Sequence, residues 1–81
     1  MLVGDLVYND DFDCNCRVEI YDCSEQYSNW YDGGILIHDN AGWEKPLDSI
    51  LDMEIVYITT EFNKIIIEAR KMSENILTKE D

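Results

Sequence analysis

Met53-Glu54-Ile55-Val56-Tyr57-Ile58-Thr59-Thr60, then Glu61-Phe62-Asn63-Lys64, then Ile65-Ile66-Ile67-Glu68-Ala69-Arg70, is the stretch whose reading decides the fold. β-Branched and aromatic residues crowd both flanks, and the four residues between them are short and polar enough to turn, so a β-hairpin is predicted. With a loop of two or four residues, Val56, Ile58, Ile65, Ile67 and Ala69 share one face, while Tyr57, Thr59, Ile66, Glu68 and Arg70 share the other. One apolar and one mostly polar face predict an antiparallel sheet packed on a core from one side only.

Working outward from the hairpin, Pro46 is placed to open a brief helix, with Leu47, Ile50 and Leu51 at helical spacing behind it. Before that, Ile35-Leu36-Ile37-His38 reads as a short strand between the turn signals Asp32-Gly33-Gly34 and Asp39-Asn40-Ala41-Gly42. Cys14 to Tyr21 alternates, with Cys14, Cys16, Val18 and Ile20 on one side, which predicts a half-buried strand. Leu2 to Tyr8 has apolar residues at positions 2, 3, 6 and 7 and is read as two turns of helix, although a strand fits the same residues nearly as well. Asn9 to Asp13 is a loop, and Met72, Ile76 and Leu77 predict a short C-terminal helix. The expected class is α+β: a small single-layer antiparallel sheet of about four strands, with one to three short helices on one face, and residues 1–81 forming a single domain.

A chain of 81 residues buries only about 60% of the surface its unfolded form exposes, so its core is small. Its charge is unusual: 18 acidic residues against 6 basic ones give a net charge of -12. Residues 1–44 hold ten acids and Arg17 as the single base, a net of -9, and residues 45–81 account for the remaining -3. Such a charge disfavours direct binding to nucleic acid or to an anionic membrane and favours a basic partner. It also serves solubility alone in many small proteins. No run of 18 apolar residues and no basic start leading into an apolar segment is present, so neither a membrane span nor a signal peptide is expected, and a cytoplasmic location is. The three cysteines, Cys14, Cys16 and Cys23, are odd in number and suit reduced thiols better than a disulfide framework.

Four constellations bear on chemistry. Asp11-x-Asp13-x-Asn15 opens like a calcium loop, with Asp22 at the twelfth position. Cys16 nevertheless stands where glycine must turn the chain, and Asp22 is too short for the bidentate glutamate, so a solvated loop is the better reading. Cys14, Cys16, Cys23 and His38 are enough ligands for zinc, but the one-residue spacing is not that of a structural site, and no metal or other cofactor is expected. His38 beside Asp39 has no nucleophile that a local motif identifies. There is no P-loop and no dinucleotide fingerprint, so enzyme activity is not expected. The fourth constellation carries the functional expectation: Tyr8, Phe12, Tyr21, Tyr27, Trp30, Tyr31 and Trp43 lie in the same half as the excess acid. Trp30 and Trp43 serve equally well as lids over a small core, whereas Tyr21, Tyr27 and Tyr31 favour an interface.

The residues expected to contact a partner are Asp10, Asp11, Asp13, Tyr21, Glu25, Tyr27, Trp30, Tyr31 and Asp32. Carboxylates along loops can stand in for phosphates and rings for bases. The expected function is therefore a non-enzymatic acidic binding protein that occupies the basic groove of a nucleic-acid-binding host protein. In size, acidity and lack of a catalytic motif the chain is similar to phage-encoded DNA mimics and to anti-CRISPR and anti-restriction proteins. That resemblance is of general character and carries over no functional residue. The alternatives are an oligomeric sponge for a small molecule or nucleotide, against which the scarcity of bases in the first half counts, and a plain assembly subunit joined through a strand edge.

Overall fold

The computed structural model describes residues 1–9, 11–12, 17–40 and 44–72. The elements run α1 (Val3–Val7), β1 (Arg17–Asp22), β2 (Ile35–Asp39), α2 (Asp48–Leu51), β3 (Glu54–Glu61) and β4 (Lys64–Arg70). This is an α+β arrangement of one four-stranded sheet in the order β2-β1-β4-β3. Cys14 and Cys16, at the start of the predicted first strand, and the predicted C-terminal helix from Met72 to Leu77 fall wholly or mostly outside the described residues.

The sheet is mixed, not antiparallel throughout as expected. β1 pairs antiparallel with β2, and β3 antiparallel with β4, but the two central strands run parallel, Val18 opposite Ile65 and Ile20 opposite Ile67. Alternation within a strand specifies which residues face the core and is silent on the direction of the neighbour, which is why the pattern of β1 reads the same in either pairing.

The hairpin closes through a two-residue turn, Phe62-Asn63, with Glu61 paired to Lys64. Thr59 faces Ile66, and Tyr57 faces Glu68, as the alternation predicts. Below them Val56 is an extra residue: Ile55 pairs with Ala69 and Tyr57 with Glu68, leaving Val56 in a bulge and 42% exposed. The bulge reverses the sides of the strand, so Ile55 and not Val56 packs toward the core.

Val18, Ile20, Ile67 and Ala69 form the helix-side layer of the core together with Val3, Ile50 and Met53. The two described helices thus deliver their buried residues, Val3 and Ile50, to the same face of the sheet. Asp5 Oδ2 accepts from the Leu2 N–H at 2.9 Å, satisfying a donor at the start of α1. Leu47 is the N-cap of α2, so Pro46 lies just before the helix and not at its first position. It is buried there all the same.

The opposite face was expected to be open and mostly polar. It is instead covered over its centre: Ile66 is fully buried, and Glu19 and Glu68 are only 5% and 7% exposed. The cause is the topology. A parallel central pair is flanked on both sides, and the connection between β1 and β2 folds back over it. Among the described residues no helix is long and apolar enough to cross a membrane.

Candidate functional site

The connection from Cys23 to Gly34 begins and ends on backbone anchors. The Cys23 N–H donates to Ala69 O at 2.8 Å, and the Gly34 N–H donates to Asn29 O at 2.9 Å, while Asn29 and Asp32 exchange backbone bonds at 2.9 and 3.1 Å. A Cβ at Gly34 would meet Asn29 O at 2.6 Å and Cys23 Sγ at 3.1 Å, so only glycine permits the loop to close this tightly. The Trp30 N–H donates to Glu68 Oε2 at 3.2 Å, which fixes the loop on the outer face of β4.

This anchoring stacks three rings. Trp30 lies 6.1 Å from Tyr21 in a tilted arrangement and 5.5 Å from Tyr31 edge to face, both favourable geometries for ring quadrupoles. Beside them is a groove of about 420 Å³ lined by Asn29, Trp30, Tyr31, Tyr57, Thr59, Glu61 and Glu68. Two of the seven lining residues are carboxylates and none is basic.

The floor of this face is a network of charges. Lys64 Nζ sits 3.2 Å from Glu19 Oε1, and the Tyr21 hydroxyl donates to the same carboxylate oxygen at 3.0 Å. Arg17 pairs with Asp39 at 3.1 Å. Burial first, and then the hydrogen bond and charge of Glu19, push the Tyr21 phenol above its ordinary pKa. Burial raises the Cys23 thiol as well, with Glu68 adding to the effect, which leaves it a poor nucleophile.

Of the residues expected from sequence, Tyr21, Trp30 and Tyr31 meet in the ring stack. Glu25, Tyr27 and Asp32 are exposed on the same connection. Asp11 is exposed beside Phe12, which packs against the helix-side core, so it belongs to the other layer. Asp10 and Asp13 fall outside the described residues. The hairpin residues Tyr57, Thr59, Glu61 and Glu68 were not anticipated as part of a site, although alternation along β3 and β4 puts Tyr57, Thr59 and Glu68 on one face.

Asp13 and Asn15 of the calcium-like loop, and Cys14 and Cys16 of the zinc-like set, also lie outside the described residues. Among those described, no three His, Cys, Asp or Glu side chains converge as a metal site. His38 Nε2 donates to Glu44 O at 3.3 Å. The fold and site define a small mixed-sheet protein with an acidic, aromatic groove on its outer face. The chain matches no protein-family model, no curated protein and no solved structure.

Proposed function

We propose that this chain is a non-enzymatic acidic binding protein that presents rings and carboxylates to the positively charged groove of a nucleic-acid-binding protein, occupying it in place of nucleic acid. The observation that carries this reading is the groove itself, three rings and two carboxylates without a basic side chain, on a chain of net charge -12. Tyr27 and Phe62 add to it: both are 87% exposed and both hold left-handed backbone, at φ 65° and 47°. Neither ring contributes to the core, and each costs conformational energy where it stands.

The test measures binding of the purified chain to basic DNA-binding proteins over a salt series, with duplex DNA as competitor. Binding should weaken steeply as salt rises, and DNA and the chain should exclude each other. Simultaneous binding of both, or no binding to any basic groove, overturns the reading. Asp11→Lys and the double variant Glu25→Lys/Asp32→Lys probe the two layers separately. The layer in contact is the one whose reversal lowers affinity by about tenfold or more without moving the melting temperature.

An assembly subunit is the second reading. Edge strand β2 exposes Ile35 and Leu36 and has no strand neighbour on its outer side among the described residues. Light scattering across a concentration series separates the two: a monomer at micromolar concentration excludes the subunit.

A further inference from the structure

We infer that the groove framed by Trp30, Tyr31 and Tyr57 is a receptor for a single guanidinium group, the head of an arginine side chain on the basic partner; the inference rests on the binding-protein reading above. The groove, at about 420 Å³, accepts one side chain with its stem and lies low in the range of small-molecule sites. Its walls supply three aromatic rings, whose quadrupoles attract cations, and a set of acceptors: the Glu61 and Glu68 carboxylates and the Thr59 hydroxyl. An anionic ligand meets two carboxylates there and no base among the lining residues. An apolar ligand would desolvate the carboxylates without replacing their partners.

The choice among cations follows from hydrogen bonding. The Glu61 and Glu68 carboxylates and the Thr59 hydroxyl along the groove are acceptors that call for N–H groups on several sides. A quaternary ammonium carries no N–H, and a primary ammonium is a compact, strongly hydrated group with three donors. A guanidinium is flat, so its faces stack on rings, and its five N–H groups point outward in the plane toward acceptors on several sides. The protein's own bases on this part of the sheet are engaged elsewhere: Lys64 with Glu19 at 3.2 Å, and Arg70, whose Nε donates to Cys23 O at 3.0 Å.

The experiment is an NMR titration of the full chain with three probes: N-acetyl-arginine amide, N-acetyl-lysine amide and N-acetyl-trimethyllysine amide. The arginine probe should shift the Trp30 indole N–H and the backbone amides of Tyr57, Thr59 and Glu68, and should bind more tightly than either competitor. Glu61→Gln, at a partly exposed position, should weaken it by about tenfold. Tyr57→Ala, which removes an exposed ring, should weaken it by about fivefold. Equal or tighter binding of the trimethyllysine probe overturns the guanidinium assignment, as do shifts confined to other residues or indifference to both substitutions. Should the arginine probe fail while a basic protein is still captured in a salt-sensitive way, the groove assignment falls and the wider reading stands. Should the probe bind while no basic protein is captured, the groove assignment stands and the wider reading falls.

Discussion

Phe62 and Asn63 both adopt positive φ, 47° and 64°, as a two-residue turn of mirror-image type I requires. Asparagine tolerates that region and phenylalanine does not, so Phe62→Asn should stabilise the fold by about 1 kcal/mol, read as a higher urea midpoint at unchanged slope. Loss of stability instead would show that the Phe62 ring contributes packing that its exposure denies. Tyr21 makes a second residue-level prediction. Its phenol is raised above the ordinary 10.0 by burial and then by Glu19, so the native state holds the proton more tightly than the unfolded chain. The associated stability is complete below pH 10 and is lost as pH climbs through the raised native value. Tyr21→Phe should flatten that alkaline decline in denaturant titrations, at the cost of one donor to Glu19.

At the scale of elements, β4 tests whether the sheet is covered on both sides. Ile66 and Ile67 are both fully buried but face opposite ways, Ile67 into the helix-side cluster and Ile66 opposite Thr59 and Glu19. Ile66→Ala and Ile67→Ala should therefore each cost about 2–5 kcal/mol in chemical unfolding, whereas a sheet open on one side would make the Ile66 change nearly neutral. The hairpin was legible because its alternation and its polar turn agree, and the short helices because their apolar spacing is helical. The bulge at Val56 was not legible, since Ile55 and Val56 are both β-branched and either suits the core side. Nor was the parallel pairing of β1 and β4, a long-range choice that no local pattern encodes. The candidate site was half legible: Tyr21 of the ring stack and Trp30 and Tyr31 of the groove stood out by type, while Tyr57, Glu61 and Glu68 were taken as scaffold because their strands so plainly served the fold.

For the molecule as a whole, a net charge of -12 on 81 residues sets carboxylates against one another. Screening should relieve this, so the melting temperature should rise by several degrees between about 20 and 300 mM sodium chloride, roughly the shift that 1 kcal/mol gives a chain this small. A fall would mean that pairs such as Lys64–Glu19 and Arg17–Asp39 outweigh the repulsion. The parallel central pair has a consequence for how the protein is made. Its partner positions stand 47 residues apart, and β4 is the last strand among the described residues. β1 meets β2 early but its parallel neighbour only once β4 has been made, and until then Val18 and Ile20 lack Ile67 and Ala69 to pack beside. Released chains truncated before Ile65 should be open to protease, and those that extend beyond Arg70 should resist it.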